Sequence, residues 1–458
     1  DHPLRGAARR GSRRLSAAAA VLTLALAQAP TRTLAPALAL PYDPWMPTLP
    51  RTRDRTSDFD IVLWGATGYT GQLVADYLVR NYLGGDSGLR LALAGRNEDK
   101  LRAVAREVGA PDLPILVGDS FDSASLDAMA SRAEVIISTV GPYAKYGAEL
   151  VAACVRNGTD YCDLTGETQF VAAMIDAHQE EAKKSGARIV HCCGYDSIPS
   201  DLGTLMVQEA FKERHGKYAS QVKMAAVDMR GAFSGGTIAS MMNIVDELKT
   251  NPGLRKVLGN PYALNPKGVR GPDKGDQTGA RYDQDLGMWT APFIMAAINT
   301  RVVRRSHALM GLPWGEDFRY SEVMGTGKGA KGFSRAVSVA AGLVAFMASI
   351  ALPFTRPLVE KKLPSPGEGP SPEARAKGRF KTLLLALGDG NAVRGVVSDK
   401  RDPGYGSTAV MLSEAALCLA LEGAELDGQG GILTPATAMG VRLIERLRKA
   451  GLTLEVKT

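Results

Sequence analysis

Three evenly spaced glycines, Gly65, Gly68 and Gly71, follow the apolar run Ile61–Trp64. Glycines at the end of a strand permit a tight turn and let backbone amides approach a phosphate closely. The amphipathic stretch Gln72–Tyr82 then predicts a helix whose N-terminal amides and dipole favour a pyrophosphate. The pattern predicts a dinucleotide-binding turn, and the alternative is glycines that serve only a strand-to-helix turn. The remaining candidates in this turn are Thr67, Tyr69 and Thr70.

A second apolar run, Leu91–Ala94, ends just before Arg96. An acid at this strand end binds the ribose hydroxyls of NAD, whereas a guanidinium binds the 2′-phosphate of NADP. Arg96 therefore predicts NADP(H), and the alternative is an exposed arginine that pairs with Glu98 or Asp99. From strand order alone, we expect Asp119 beside the adenine, and beside the nicotinamide half we expect Gly141, Pro142 and Tyr143.

Candidate proton donors follow the later apolar runs. Tyr195 and Asp196 come after the run Ile189–His191, and open α/β sheets build their sites at such strand ends. Because hydride transfer often needs a proton donor for the developing anion, we single out these two residues as catalytic candidates. The alternatives are that Asp196 caps the next helix and that Tyr195 is a packing aromatic. Other candidate donors are Tyr143, Asp163, Glu167 and Ser197.

Several other chemistries are excluded by the sequence. The five cysteines contain no CxxC pair, and their spacing with the five histidines is not that of metal ligands, so no metal site is predicted. Cys192 and Cys193 are interpreted as small residues ending a buried strand, with redox sensitivity as the alternative. None of the 13 tyrosines precedes a lysine by four residues, which excludes the usual chemistry of short-chain dehydrogenases. The motifs HExxH, GxSxG and GK[ST] are also absent from the sequence.

Short apolar runs alternate with amphipathic stretches over about residues 58–200. This alternation predicts βαβ units and a parallel sheet with both faces covered. The predicted strands are Ile61–Trp64, Leu91–Ala94, Ile115–Val117, Val135–Val140 and Ile189–His191. The predicted helices are Gln72–Tyr82, Asn97–Glu107, Ser123–Ser131, Ala144–Asn157 and Thr168–Ser185. Less regular patterns follow, and near the C-terminus Ser407–Glu422 and Thr434–Ala450 again predict helices.

Residues 1–56 have the composition of a targeting leader. They carry nine arginines against three aspartates, so +6 of the formal net charge of +7 lies there. The nearly neutral remainder argues against nucleic-acid binding. Arg13 and Arg14 precede the uncharged run Leu15–Thr31, which predicts an organelle-targeting peptide for a plastid or, less well, a mitochondrion. The alternative is a disordered tail that carries no targeting signal.

Ala336–Thr355 is a run of 20 residues without a charge, bounded by Arg335 and Arg356. Its length suits a helix that crosses the hydrocarbon layer, and its basic flanks suit a membrane surface. Three alternatives stay open: a buried core helix, a hairpin that dips into a membrane, and a full span. The composition favours contact with lipid.

Several motifs in order resemble the saccharopine dehydrogenase-like oxidoreductases. They are Gly65–Gly71, Gly95–Asn97, Ser138–Tyr143, Tyr161–Glu167, Cys193–Asp201, Gly404–Ala409 and Gly430–Ala436. The resemblance covers about residues 58–456. It implies an α/β fold with a Rossmann NADP-binding domain over 57–203, a second α/β (α+β) domain over 204–400 and a C-terminal segment over 401–458 that returns to the first domain.

The resemblance also implies particular relatives. They include enzymes of lysine metabolism, mycobacterial trans-acting enoyl reductases of complex lipid synthesis, and a eukaryotic branch on lipid droplets and mitochondria. This chain is most similar to the last two groups, which makes an organellar membrane or lipid droplet the expected location. Family membership also suggests a homodimer.

The expected function is that of an NADP(H)-dependent oxidoreductase that reduces an enoyl or carbonyl group of a hydrophobic or lipid substrate. The alternative, from another class, is a catalytically silent scaffold on a lipid surface or membrane that retains a nucleotide-binding fold. Saccharopine carries several carboxylates and would require converging arginines. The candidates for such a cluster are Arg230, Arg281, Arg301 and Arg304.

Overall fold

The computed structural model describes residues 57–84, 88–231, 235–361, 369–426 and 429–457. Within these ranges the strands form two sheets of seven strands each. The leader expected over residues 1–56, with its targeting signal, lies outside the described residues.

The first sheet is parallel, in the order β13-β6-β5-β4-β1-β2-β3. Its strands are β1 (Phe59–Trp64), β2 (Leu91–Gly95), β3 (Ile115–Val117), β4 (Ala133–Ser138), β5 (Asp160–Asp163), β6 (Arg188–Val190) and β13 (Gly431–Leu433). The helices between them are α1 (Tyr69–Tyr82), α2 (Glu98–Glu107), α3 (Ser123–Ala130), α4 (Tyr143–Tyr146), α5 (Ala148–Asn157) and α6 (Thr168–Ser185). Strands β1 and β2 are almost wholly buried, as expected where helices cover both faces. The predicted Rossmann-type α/β class is confirmed.

Strand β5 was absent from the sequence prediction because its four residues include two acids. Both carboxylates are fully buried and have partners on the neighbouring strand or just after it. Asp160 accepts hydrogen bonds of 2.6 and 2.9 Å from the Arg188 guanidinium, and Asp163 lies 2.7 Å from His191 Nδ1. Charge pairing across β5 and β6 thus takes the place of the apolar pattern that marks the other central strands.

The second sheet is mixed, in the order β14-β12-β11-β7-β10-β9-β8. Its strands are β7 (Gln221–Arg230), β8 (Arg281–Asp283), β9 (Met288–Pro292), β10 (Arg319–Gly327), β11 (Arg379–Gly388), β12 (Asn391–Asp399) and β14 (Thr453–Lys457). Strands β7 and β10 pair in parallel, and the other neighbours pair antiparallel. The accompanying helices are α7 (Ile198–His215), α8 (Gly235–Thr250), α9 (Leu254–Gly259), α10 (Ala296–Leu309), α11 (Gly329–Ala351), α12 (Arg356–Glu360) and α13 (Pro372–Ala376).

The C-terminal segment contacts both sheets. It contains a π-helical turn (Pro403–Ser407), then α14 (Thr408–Leu421), β13, α15 (Pro435–Ala438), α16 (Gly440–Lys449) and β14. Helix α14 packs against α1, β1, β4 and β5, and β13 extends the first sheet beside β6. Strand β14, however, pairs with β12 of the second sheet. The segment therefore packs on the first sheet and also adds a strand to the second.

Two stretches of the described residues are long and apolar enough to cross a membrane, judged by length and composition alone. One is Pro403–Leu421, of which 78% is buried, and it is a core helix. The other is α11, of which 11% is buried, with a mean hydropathy of 1.7. Helix α11 contains most of the uncharged segment 336–355 and lies at the surface, so the buried-core alternative for this segment is wrong.

Candidate functional site

The turn between β1 and α1 requires glycine, because its backbone leaves no room for a Cβ at two positions. Gly65 has a φ of +88°, and a Cβ added there would lie 2.6 Å from Val140 Cγ2. A Cβ on Gly71 would overlap the carbonyl oxygen of Gly65. Gly68 occupies the N-cap of α1 in an extended conformation, without a side-chain hydrogen bond to the helix. The helix N-terminus thus keeps amide donors for an anion, which its dipole also favours.

Arg96 follows β2 directly and is exposed. Among the described residues it has no ion-pair partner, either at Asp99 or at Glu98, which pairs with Arg102 at 2.6 Å. Asn97 accepts a 2.9 Å hydrogen bond from the Lys100 amide and so caps α2. The guanidinium of Arg96 therefore stands next to the β2 strand end with its donors available.

Asp119 follows β3 and stabilises the turn in which it lies through two hydrogen bonds. Its carboxylate accepts a 2.9 Å hydrogen bond from the Phe121 amide, and its backbone amide donates to Ser125 Oγ at 3.2 Å. The residue is half-buried at the same sheet edge as Arg96. One carboxylate oxygen is thus committed to the loop that follows the strand.

The turn after β4 contains a cis Gly141–Pro142 peptide and then buried Tyr143. The Tyr143 hydroxyl donates to the carbonyl of Ser138 at 3.0 Å. The amides of Tyr143 and its neighbour donate to the Glu167 carboxylate at 2.8 and 3.0 Å, and Ser240 of α8 donates to the same carboxylate at 2.7 Å. Burial raises the pKa of Glu167. Tyr143 and Glu167 therefore hold the loops together through their polar groups.

Asp163 is likewise a structural carboxylate. Its Oδ2 lies 2.7 Å from His191 Nδ1 and accepts the Tyr161 hydroxyl at 3.0 Å. Its Oδ1 accepts the backbone amides of Thr165 and Cys192, each at 3.1 Å. With four partners, Asp163 fixes the ends of β5 and β6 and is a poor candidate for proton transfer to a substrate.

Asp196 differs from the other acids at this edge. It is half-buried just after β6, and no side chain among the described residues hydrogen-bonds to its carboxyl group. Its oxygens lie beside the backbone of Gly194 and Gly166. Ser197 occupies the N-cap of α7, so Asp196 does not have the capping role considered as its alternative. Burial, with a smaller contribution from the charge of Asp163, raises the pKa of Asp196 to about 7.

The Tyr195 side chain packs towards the second sheet. Its ring meets Phe380 edge to face at 4.7 Å, and its hydroxyl lies 3.6 Å from the sulfur of Met229. Burial raises the pKa of the Tyr195 hydroxyl. These contacts match the packing alternative, and the catalytic assignment of Tyr195 stays a prediction.

The adjacent thiols of Cys192 and Cys193 are fully buried and not bonded to each other. Burial raises the pKa of both thiols well above the usual value, which keeps them protonated and unreactive. The interpretation as small buried residues agrees with this environment.

Residues from the second half of the chain lie over the glycine turn, and the sequence did not predict this. Tyr69, the first residue of α1, contacts Pro370 and Arg375, which follow more than 300 positions later. Tyr405 also packs edge to face on Tyr69, at 4.8 Å between ring centroids. No local pattern in the sequence links these residues.

The glycine positions that a Cβ would fill, the uncapped helix N-terminus and the unpaired Arg96 together fit a dinucleotide with a 2′-phosphate. Residues 61–190 match the family model described as the saccharopine dehydrogenase NADP-binding domain. The predicted cofactor, NADP(H), is thereby confirmed.

Comparison with known proteins extends the match to nearly the whole described chain. A Mycobacterium tuberculosis protein assigned as a trans-acting enoyl reductase is 43% identical over 414 residues, which cover 87% of this chain and 97% of that protein. The trans-acting enoyl reductase of Mycobacterium leprae is 38% identical over 410 residues with the same coverage. Apo saccharopine dehydrogenase (L-Glu forming) from Saccharomyces cerevisiae matches with a TM-score of 0.47 and 15% identity, over 87% of this chain and 99% of that one. The family model and the mycobacterial relatives show that the chain belongs to the saccharopine dehydrogenase-like family and is an NADP-dependent oxidoreductase.

Proposed function

We propose that the protein reduces an enoyl or carbonyl group in a hydrophobic substrate, with Asp196 as the proton donor. The observation that carries the proposal is the half-buried Asp196 carboxyl, which lacks a side-chain partner among the described residues and lies at the same sheet edge as the glycine turn. The names of the mycobacterial relatives, trans-acting enoyl reductases, support an enoyl group in particular.

The glycine turn and Arg96 would hold NADPH, which would supply a hydride to an electrophilic carbon of the substrate. The electron pair displaced from that carbon leaves an anion that must take up a proton. With its pKa raised to about 7, Asp196 is largely protonated below neutrality. It gives that proton to the substrate anion, becomes a carboxylate and regains a proton from water.

The arginines considered for a substrate with several carboxylates are engaged elsewhere or exposed. Arg304 pairs with Asp273 at 2.8 Å, and Arg301 pairs with Asp276; both arginines are buried. Arg230 and Arg281 are exposed, on β7 and β8. Two of the four charges are thus already neutralised, which supports a substrate with few carboxylates.

We also propose that α11 lies in the surface of an anionic membrane or lipid droplet. Both ends of the helix are attached to the second domain: Thr326 donates to the Gly332 carbonyl at 2.9 Å, and Arg356, just after the helix, pairs with Asp246. A helix held at both ends on one side of the membrane does not span it. This supports the dipping alternative over the full span.

The outward face of α11, α12 and the turn between them has the composition of an interfacial helix. Exposed apolar side chains are Phe333, Val337, Val344, Met347, Leu352, Phe354 and Leu358. Exposed Lys328 and Lys331, beside the N-terminal end, have no ion-pair partners among the described residues. Apolar side chains flanked by lysines bind anionic lipid surfaces. An organellar location and a homodimer stay predictions.

Replacement of Asp196 tests the catalytic proposal. In the full-length protein we expect Asp196→Asn to lower turnover of NADPH with long-chain enoyl or carbonyl lipids by about 10²–10⁴-fold. NADPH affinity should stay within about twofold, because the proposed role is proton transfer alone. Asp112→Asn, at an exposed position, is the matched control.

The pH profile provides a second readout. Reduction requires protonated Asp196, so the wild-type rate should fall as the pH rises through about 7. The residual rate of Asp196→Asn should lack that fall. Unchanged turnover in the variant would contradict the donor assignment, and NADPH binding without turnover of any tested lipid by the wild type would favour the silent scaffold.

Vesicle flotation tests the lipid proposal. We expect the protein to float with phosphatidylcholine–phosphatidylglycerol vesicles and Phe354→Glu to reduce the floated fraction several-fold, because Phe354 is 74% exposed on the proposed face. Phe121→Glu is the matched control, since Phe121 is 71% exposed on the first domain. Equal flotation of Phe354→Glu and wild type would contradict the proposed surface.

A further inference from the structure

A segment from the C-terminal half of the chain lies over the N-terminus of α1. The Tyr69 hydroxyl donates to the Pro370 carbonyl at 2.5 Å, and Arg375 Nη1 donates to the Tyr69 hydroxyl oxygen at 2.5 Å. Gly369 lies against the Tyr69 ring, where a Cβ would overlap the ring atoms. We call residues 369–378 the overlying segment.

The overlying segment is attached at both ends of its described length. Gly369 and Pro370 rest on Tyr69, and Gly378 packs so closely on Asp402 that a Cβ there would overlap its backbone. Tyr405 adds an edge-to-face contact with Tyr69 at 4.8 Å. Contacts at both ends of the segment therefore hold Arg375 beside Tyr69 at the glycine turn.

Arg375 has an unusual electrostatic environment for this part of the molecule. It is half-buried, and its partner among the described residues is the neutral Tyr69 hydroxyl, with the guanidinium 5.8 Å from the Tyr69 ring centroid. Arg379, four residues later, pairs with Asp228 at 2.6 Å, and Arg401 pairs with Asp399 at 2.7 Å. A cation withdrawn from water without a counter-ion is costly, and an anionic ligand would remove that cost.

We infer that Arg375 binds the pyrophosphate of NADP(H), which places the cofactor between the glycine turn and the overlying segment. A guanidinium has five N–H donors in a planar fork. The hydroxyl of Tyr69 takes one of these donors, and the others are available to phosphate oxygens at the α1 N-terminus. Arg96 then binds the 2′-phosphate and Arg375 the pyrophosphate, so the two arginines contact different parts of one ligand.

The proposed contact between Arg375 and the pyrophosphate can be tested independently of the reaction. It rests on the binding of NADP(H) at the glycine turn and does not involve the substrate or Asp196. A binding assay without substrate therefore tests it alone, and the activity of Asp196→Asn has no bearing on its outcome.

Titrations of the full-length protein with NADPH and with 2′-AMP form the test, because 2′-AMP has the 2′-phosphate but no pyrophosphate. We expect Arg375→Met to raise the Kd for NADPH by about tenfold to a hundredfold, the loss of a charge-assisted hydrogen bond. The Kd for 2′-AMP should change by less than about twofold. Methionine retains an apolar stem against Tyr69, which keeps the variant folded.

Two further variants complete the design. Lys377→Met removes the same charge from an exposed position in the overlying segment and should leave both Kd values unchanged. Arg375→Lys should recover part of the NADPH affinity, because it restores the charge without the planar fork.

The inference is overturned if Arg375→Met weakens the binding of NADPH and of 2′-AMP equally, because Arg375 would then only stabilise the turn. It is also overturned if the variant weakens the binding of neither ligand. Melting temperatures of each variant without ligand establish folding. Failure of the wild type to bind NADPH would instead contradict the cofactor assignment itself.

Discussion

The carboxyl edge of the first sheet is built in two different ways. Between β1 and α1 the site consists of backbone, and its shape depends on the absence of Cβ atoms at Gly65 and Gly71. At β5 and β6 it consists of carboxylates: buried Asp163 has four hydrogen-bond partners, and half-buried Asp196 lacks a side-chain partner among the described residues. The glycine turn should therefore be sensitive to added atoms, and the β5–β6 end to changes of charge.

Gly71→Ala should have the largest effect on the glycine turn. The added Cβ would overlap the Gly65 carbonyl and force the turn apart, so NADPH affinity should fall by about a hundredfold or more. Calorimetric titration measures the loss. Gly279→Ala is the control, because a Cβ there meets no atom within 4 Å. Retained affinity in Gly71→Ala would remove the glycine turn from the cofactor site.

Arg96→Ala should lower the affinity for NADPH but not the affinity for NADH. NADPH affinity should fall by about tenfold to a hundredfold, because a charge-assisted contact to the 2′-phosphate is lost. NADH affinity should stay within about twofold, because NADH lacks that phosphate. Side-by-side fluorescence titrations measure both, and an equal loss would contradict the 2′-phosphate assignment.

Glu322→Gln tests the sensitivity to charge of the buried contact between the residues that follow β6 and strand β10 of the second sheet. Asn299 connects this buried acid to Ser197, donating to Glu322 at 2.7 Å and accepting from Ser197 at 3.0 Å. Burial raises the pKa of Glu322 from 4.5 to about 7, so its contribution to stability is complete below pH 4.5 and is lost as the pH rises through 7.

Relative to wild type, Glu322→Gln should therefore gain about 1–3 kcal/mol of unfolding free energy at pH 8 and almost none at pH 4. Denaturant unfolding at both pH values measures the difference. A gain independent of pH would show that the carboxyl does not titrate in the folded protein.

Tyr143→Phe should have the smallest effect. Its hydroxyl donates to the Ser138 carbonyl, so the variant should lose about 1 kcal/mol of unfolding free energy. Its NADPH affinity should remain within about twofold. A large loss of affinity with unchanged stability would instead place the hydroxyl on the cofactor.

The α/β class and the glycine turn were predictable because their signals are local. An apolar strand, spaced glycines and an amphipathic helix follow one another over residues 59–82. Strand β5 escaped prediction because Asp160 and Asp163 are acids whose partners, Arg188 and His191, belong to the next strand region. Local periodicity does not report a charge that another strand neutralises.

The strand order of the second sheet and the residues that lie over the glycine turn have no local signal in the sequence. Strand β7 (Gln221–Arg230) pairs with the distant β11 (Arg379–Gly388), and three helices and two strands separate it from its parallel neighbour β10. Tyr69 and Arg375 are 306 positions apart. Their contact depends on how the two halves of the chain meet, which composition and spacing do not encode.

The late entry of β13 and α14 has a consequence for synthesis on the ribosome. Strands β1–β6 are complete by residue 190, yet β6 gains its outer neighbour only when residues 431–433 emerge. Until then the growing chain presents an open strand edge and an apolar sheet face that α14 later covers. Such surfaces aggregate and recruit chaperones. Folding of the cofactor domain is therefore expected to finish only after residue 433 has emerged, with a correspondingly long dependence on chaperones.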